Sequence, residues 1–159
     1  MAKQSAKDKV EGGKSIQNRK ARYDYELLDK FEAGIALAGS EVKSIWLGRV
    51  NMADSYCEMR SGELWIVNLD VETYEHTSHV RYERRRARKL LLHRKEIDLI
   101  DRKSMEKGLT IVPTAMYFKN GKCKVEICLA RGKREYDKRS QIAKDETRRE
   151  MDRVRKERF

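Results

Sequence analysis

Several features of common protein classes are scarce in this sequence of 159 residues. It has one proline, and only 8% of its residues are aromatic. Its three cysteines are odd in number and none is in a C-x-x-C spacing, which argues against a disulfide framework and against a zinc knuckle. We therefore interpret Cys57, Cys123 and Cys128 as small core side chains in a reducing cytosol.

Long apolar runs and catalytic motifs are also absent. No apolar stretch approaches the roughly 20 residues that span a bilayer, and the polar N-terminus has no signal-peptide core, so we expect a cytoplasmic protein without a membrane partner. Neither a G-x-S-x-G elbow nor a phosphate-binding glycine loop is present, and Cys57 has no local signature of a nucleophile. We expect neither an enzyme nor a resident cofactor or metal.

Charge is abundant, since 40% of the residues are charged. The formal net charge of +11 favours a polyanionic partner such as nucleic acid. Residues 23–80 hold four basic and eleven acidic residues, whereas residues 81–95 hold eight basic residues and one acidic residue. Residues 1–22 and 131–159 are basic as well. The positive charge is thus concentrated in two termini and one internal run.

Hydrophobic patterning predicts a folded body over residues 18–130, preceded by a disordered basic arm over residues 1–17. The pattern indicates a long strand from Tyr23 to Leu37 with a bulge near Asp29-Lys30, and two hairpins that turn at Ser61-Gly62 and Asn120-Gly121. A short helix capped by Ser40 and a second helix over 93–107 are also indicated. Pro113 predicts an edge or a bulge in its strand. The fold class is mainly β with short helices, forming a small OB-like closed or nearly closed barrel.

Residues 131–159 form a basic tail of different character. From Ser140 onward the residues are good helix formers without proline or glycine, but Ile142, Met151 and Val154 do not share one helical stripe. Because such a helix cannot bury a coherent face on the barrel, we predict a tail that is disordered alone and helical on a polyanion such as the ribosome.

The densest chemical feature is the basic run Arg81 to Lys89. Each guanidinium in such a run can bind a phosphate and release counterions. A solvated surface is the more common role of a charge run, and that alternative remains. The adjoining Leu90-Leu91-Leu92 should anchor this run to the core, which favours RNA binding.

Two other functions remain open. A general rRNA-binding ribosomal or assembly protein would use the same barrel and basic arms without preferring a tRNA-like fold. An RNA-processing enzyme would use His76, His79 and nearby carboxylates and would depend on a metal, although the four well-spaced ligands of a structural zinc site are missing.

A series of short motifs resembles one known family. They are Asn18-Arg19-Lys20-Ala21-Arg22, Phe31-Glu32-Ala33-Gly34, Glu41-Val42-Lys43-Ser44, Arg86-Ala87-Arg88-Lys89-Leu90-Leu91-Leu92, Lys122-Cys123-Lys124-Val125 and Gly132-Lys133-Arg134-Glu135-Tyr136-Asp137-Lys138-Arg139. In this order and spacing, over about residues 18–142, they resemble the bacterial tmRNA-binding proteins, the family also called SsrA-binding protein or small protein B.

The resemblance implies an RNA-binding function in trans-translation. The barrel would bind the tRNA-like domain of tmRNA and deliver alanyl-tmRNA, together with elongation factor Tu, to stalled ribosomes for rescue and peptide tagging. The tail would occupy the empty mRNA channel of the small subunit near the decoding centre. Nothing in the sequence suggests an obligate dimer, so we expect a monomer.

The resemblance also assigns residues to these roles. Asn18, Glu32 and Leu91 match positions implicated in tmRNA binding, and His93 is at a position where some members have Asn. With the basic residues around them, the predicted tmRNA-binding set is Asn18, Arg19, Lys20, Arg22, Glu32, Lys43, Arg84, Arg85, Arg86, Arg88, Lys89, Leu91 and His93. The predicted ribosome-binding set of the tail is Gly132, Lys133, Arg134, Tyr136, Asp137, Lys138 and Arg139, in which Tyr136 keeps a ring for stacking where other members have His.

Overall fold

The computed structural model of the chain describes residues 15–74 and 83–157, with the backbone alone at residues 135 and 136. Strands and short helices alternate until a long C-terminal helix. In chain order the elements are β1 (Ile16–Gln17), α1 (Arg19–Asp24), β2 (Tyr25–Ile35), α2 (Gly39–Trp46), β3 (Val50–Asn51), β4 (Tyr56–Arg60), β5 (Glu63–Val67), β6 (Asp70–Val71), β7 (Arg88–Leu91), α3 (Arg94–Lys107), β8 (Thr110–Lys119), β9 (Lys122–Gly132) and α4 (Glu135–Glu157).

Six antiparallel strands form a ring in the order β8, β4, β5, β7, β2 and β9, and the β8–β9 hairpin closes it. The shortest strand pairing in the ring is between β4 and β8, where the ladder consists of Cys57 opposite Ile111. Strand β1 adds to β8 outside the ring, and β3 pairs with β6 in a separate small ladder. This architecture confirms the predicted nearly closed, OB-like barrel with short helices.

The inside of the ring holds the hydrophobic core, and β9 illustrates how the sequence builds it. Cys123, Val125, Ile127 and Leu129 alternate along β9 and are buried in this core, as the period of two predicts. Cys128 is also buried, on the opposite face of the strand. That face is covered because α1 places Ala21 over Val112 and Ala130 in a second, smaller cluster.

Turn chemistry fixes the two hairpins where the sequence predicted them. Ser61 and Gly62 have φ angles of 49° and 76°, and Asn120 and Gly121 have φ angles of 51° and 71°. Positive φ at both central residues is the geometry of the type I′ turn, whose twist matches that of the flanking strands. The predicted irregularities are present as well, because register shifts occur between Leu27 and Lys30 in β2 and after Pro113 in β8.

Three local predictions were wrong. The strand expected from Tyr23 begins at Tyr25, because Asn18 caps a helical turn ahead of it. The disordered arm was expected to extend to residue 17, but Ile16 and Gln17 pair with β8. Ser40 does not cap α2, since the helix begins at Gly39 and the carboxylate of Glu41 accepts the Ala38 N–H instead, at 2.9 Å.

Candidate nucleic-acid interface

Three strands of the ring meet at a surface groove of about 520 Å³. Strand β2 contributes Glu32 and Gly34, β7 contributes Leu91, and β9 contributes Lys124. Gly34 is opposite Leu91 in one ladder and opposite Lys124 in the other, so it lies at the junction of the three strands. The groove is completed by Leu92 and by two residues at the start of α3, His93 and Glu96.

The groove brings together Glu32, Leu91 and His93, three residues that the sequence predicted as RNA contacts. Leu91 is 52% exposed, whereas Leu90 is fully buried. The prediction that all three leucines anchor the basic run was therefore wrong for Leu91. Because side chains alternate along a strand, the burial of Leu90 turns Leu91 towards solvent. An exposed leucine beside polar groups provides an apolar contact for a base or ribose face.

The carboxylate of Glu32 is held in place across the outer face of the barrel. It accepts a hydrogen bond from the Tyr117 hydroxyl, and the Lys119 ammonium lies 3.7 Å from it. A carboxylate can accept hydrogen bonds from base amino groups or from a ribose 2′-hydroxyl, and the nearby Lys124 ammonium can bind a phosphate. The groove therefore combines groups whose chemistry suits a nucleotide.

Four groove residues were missing from the predicted site, namely Gly34, Leu92, Glu96 and Lys124. Lys124 was quoted only as part of a motif, although its polar position in the alternation of β9 placed it on the outer face. Gly34 makes the groove possible, because a Cβ atom there would lie 3.2 Å from Leu91 Cβ. That separation is too short for a comfortable contact, so a larger residue would displace Leu91.

A second basic surface lies at the other end of β2, roughly 25 Å along the strand from the groove. Arg19, Lys20 and Arg22 are exposed there on α1. Lys20 lies 3.0 Å from the Asp54 carboxylate, and Arg22 donates to the Gln17 side chain at 3.0 Å. The predicted tmRNA-binding residues thus occupy two separate surfaces.

The base of the tail contacts this second surface. Lys133 donates its backbone N–H to the Asp24 carbonyl at 2.9 Å and its ammonium to the Arg22 carbonyl at 3.3 Å. Lys138 lies 3.3 Å from the Asp24 carboxylate and 5.8 Å from the centre of the Tyr23 ring. These contacts join the first residues of the predicted ribosome-binding tail to α1.

Asn18 is a buried capping residue rather than an exposed contact. Its side chain is saturated by local partners, since its amide donates to the carbonyls of Pro113 at 2.8 Å and Met52 at 3.2 Å, while its oxygen accepts from the Ala21 N–H at 3.1 Å. It is 4% exposed. Asn18 therefore positions α1, and its burial argues against the predicted direct RNA contact, which stays a prediction.

Within the basic run, Arg88 is directed into the core. Its side chain and that of Glu41 are both fully buried and form an ion pair. Arg88 also donates to the carbonyls of Leu69 at 2.8 Å, Arg84 at 3.0 Å and Arg86 at 3.1 Å. Because this guanidinium is enclosed, its burial argues against the predicted RNA contact of Arg88, which stays a prediction.

The electrostatics of Glu41 follow from these contacts. Burial alone would raise the pKa of its carboxyl group, but hydrogen bonds from the Arg86 side chain, the Ala38 N–H and the Arg88 side chain outweigh that effect. The pKa of Glu41 is therefore lowered from its ordinary value of 4.5. Glu41 remains a carboxylate and is the shared counter-ion of Arg86 and Arg88.

The other residues of the run remain accessible. Arg84 and Arg85 are about half exposed and lie 2.9 Å and 3.8 Å from the Asp70 carboxylate. Arg86 is partly exposed beside Glu41, and Lys89 lies 3.6 Å from Glu63. Since β7 continues from Arg88 to Leu91, these cations lead directly into the groove.

The tail is helical from Glu135 to Glu157. Ile142, Met151 and Val154 are 40%, 67% and 45% exposed, as their scatter around the helix predicted. Gly132 ends β9, and Arg134 and Arg139 are exposed. The side chain of Tyr136 lies outside the described part of the chain, and disorder of the isolated tail stays a prediction.

The metal-dependent alternative involves His76 and His79, which lie outside the described residues. Among residues 15–74 and 83–157, no three histidine, cysteine or acidic side chains are grouped as a metal site would require. In the same part of the chain, no helix combines the length and apolar character needed to cross a membrane.

Comparison with known proteins identifies the family. The model of the SmpB protein family matches residues 15–157. The chain belongs to the SmpB family. It is 49% identical to the SsrA-binding protein of Thermobifida fusca (strain YX) over 155 residues, 97% of each chain. It is 50% identical to the SsrA-binding protein of Streptomyces coelicolor over 147 residues, 92% of each chain.

A solved structure agrees with this assignment to the SmpB family. A chain in the structure described as "tmRNA-SmpB: a journey to the center of the bacterial ribosome" is 44% identical to this one. It superimposes with a TM-score of 0.65, and the match covers 80% of this chain and 94% of that chain. The ring of strands is therefore a fold that this chain shares with the matched chain of that structure.

Proposed function

We propose that this protein binds the tRNA-like domain of tmRNA and delivers alanyl-tmRNA to stalled ribosomes for trans-translation. It would act in the cytoplasm as a monomer and would catalyse no reaction of its own. The observation that carries the proposal is the groove in which Glu32, Leu91, His93 and Lys124 converge. Membership of the SmpB family supports it. Elongation factor Tu would join the complex through the alanyl-tmRNA.

The two basic surfaces suggest a division of labour. The groove and the run Arg84 to Lys89 form one continuous surface for the tRNA-like domain, since β7 belongs to both. The α1 surface adjoins the base of the tail through Lys133 and Lys138. The tail, from Gly132 to Arg139 and along α4, would occupy the vacant mRNA channel near the decoding centre of the small subunit.

A competition assay at near-physiological salt tests the first half of the proposal. The full chain is offered the tRNA-like domain of tmRNA against bulk tRNA and an rRNA fragment of equal length. We expect a preference of about a hundredfold, or roughly 2.7 kcal/mol, for the tRNA-like domain. Equal affinity for all three RNAs would support general rRNA binding instead.

Matched variants locate the binding site. Lys124→Ala and Glu32→Gln alter the groove and should reduce that preference, whereas Arg102→Ala removes an exposed cation from α3 and should not. A truncated chain that ends at residue 134 keeps all of β9 and tests the tail. It should bind the tRNA-like domain normally and fail to support peptide tagging on stalled ribosomes. Loss of RNA binding by this truncation would refute the division of labour.

A further inference from the structure

Helix α2 presents an apolar surface to solvent. Its buried face is formed by Ser40, Glu41, Ser44 and Ile45. The opposite face carries Lys43, Trp46 and Leu47, which are spaced as neighbours on a helix. Trp46 is 42% exposed and Leu47 is 45% exposed. We call Lys43, Trp46 and the following Arg49 the Trp46 surface.

The indole of Trp46 is fixed in orientation but not covered. Its ring meets the buried ring of Phe118 edge to face, with centroids 4.9 Å apart and an interplanar angle of 68°. Such aromatic pairs restrict the side chain beyond what burial of area alone achieves. Trp46 therefore has a preorganised ring that remains accessible from solvent.

Two cations lie on either side of Trp46 in the chain. Lys43 lies one turn before Trp46, and α2 ends in a Schellman turn that brings Arg49 directly after the helix. In that turn the Gly48 N–H bonds to the Ile45 carbonyl and the Arg49 N–H to the Ser44 carbonyl, both at 2.9 Å. Lys43 and Arg49 are exposed, and neither has an ion-pair partner among residues 15–74 and 83–157.

We propose that Trp46 is a stacking platform for an unpaired nucleotide of the RNA that occupies the groove, with Lys43 and Arg49 binding the adjacent phosphates. A rigid, exposed ring beside cations is the arrangement that proteins use to bind unstacked bases. Strand β8 lies between this ring and the groove, with Phe118 on its inner face and Tyr117 and Lys119 on its outer face. Phe118 touches Trp46, and its chain neighbours Tyr117 and Lys119 contact Glu32.

This inference rests on the proposed function, because it takes the tRNA-like domain of tmRNA as the ligand. The flanking cations favour RNA over an apolar protein partner. A protein partner would use Leu47 as much as Trp46, whereas a base needs the ring specifically. Substitutions of Trp46 and of Leu47 therefore distinguish an RNA ligand from a protein partner.

Binding of a labelled tRNA-like domain to the full chain, followed by fluorescence anisotropy, tests the proposal. Trp46→Leu keeps an apolar contact with Phe118 but removes the ring, and it should weaken binding about tenfold. Trp46→Phe restores a ring and should stay within about threefold of the wild type. Leu47→Ala, an equally exposed position on the same face, is the matched control and should bind normally. Thermal unfolding establishes that each variant is folded.

A second measurement observes the ring itself. Because the chain has two tryptophans, Trp65→Phe leaves Trp46 as the single indole. Titration with the tRNA-like domain should quench its emission at the RNA concentration that saturates the anisotropy. Normal binding by Trp46→Leu, or equal losses from Trp46→Leu and Leu47→Ala, would overturn the stacking proposal. Failure of the wild type to prefer the tRNA-like domain would instead refute the proposed function.

Discussion

Replacing Glu41 with glutamine tests how the basic run is held. The substitution keeps the size of the side chain and removes its charge. In the wild type, Glu41 and Arg88 are both fully buried, and the carboxylate accepts hydrogen bonds from the Arg86 and Arg88 side chains and the Ala38 N–H. Glu41→Gln would leave the buried charge of Arg88 without its counter-ion.

Breaking a buried ion pair from one side typically costs about 3–5 kcal/mol, because the remaining charge is desolvated and unpaired. We expect a loss of that size in the free energy of unfolding of Glu41→Gln, which for a domain of this size lowers Tm by about 10 °C. Urea unfolding followed by circular dichroism at pH 7 measures the free energy directly. Asp54→Asn, which removes an exposed carboxylate paired with Lys20, is the control and should change little.

The same pair has a defined pH dependence. Because the pKa of Glu41 is lowered in the folded state, its contribution to stability is fully present above the ordinary value of 4.5 and is lost as the pH falls through the folded pKa. The stability difference between wild type and Glu41→Gln should therefore narrow as the pH falls below about 4.5. A Glu41→Gln protein as stable as the wild type at pH 7 would refute the reasoning.

Three further predictions follow from the site and the core. The double substitution Arg84→Ala and Arg85→Ala should weaken binding of the tRNA-like domain and flatten its salt dependence, because two accessible phosphate contacts are removed. An unchanged dependence of binding on salt concentration would assign these residues to a solvated surface. Gly34→Ala should weaken the same binding without loss of fold, since its Cβ would press on Leu91, and a binding isotherm identical to wild type would contradict the groove assignment. The three cysteines, Cys57, Cys123 and Cys128, should resist alkylation until the protein is unfolded, because burial raises the pKa of each thiol, that of Cys123 to about 12. Rapid labelling of the native protein, measured by mass spectrometry, would contradict their burial.

Local patterns predicted the barrel because its elements are specified by nearby residues. Asn120-Gly121 encodes its own turn through two positive φ angles, and the alternation of β9 encodes which side chains face the core. Helix α1 was missed because its signal is a single capping residue, Asn18, whose hydrogen bonds to Met52 and Pro113 depend on the completed fold. Such long-range contacts leave no periodic trace in the sequence.

The candidate site was predicted in composition but not in geometry. Arg88 was grouped with its accessible neighbours, although a signal was present: if Leu90 faces the core, the residue two positions earlier does too. The sequence did not show which of the three leucines faces inward, and the partner of Arg88 is 47 residues away at Glu41. The phase of β7 is set by its pairing with β2, so only the assembled sheet separates the buried arginine from the exposed ones.

The uneven distribution of charge along the sequence is explained by ion pairs between its acidic and basic segments. Carboxylates from the acidic segment 23–80 contact cations from the basic segments, as Asp70 does with Arg84 and Arg85 and Asp24 with Lys138. Exposed pairs of this kind are weak and screened by salt, so a phosphate can replace the carboxylate at little cost. The buried pair of Glu41 and Arg88 cannot exchange in this way. The acidic segment therefore orients the basic side chains while leaving the outer ones free to change partners.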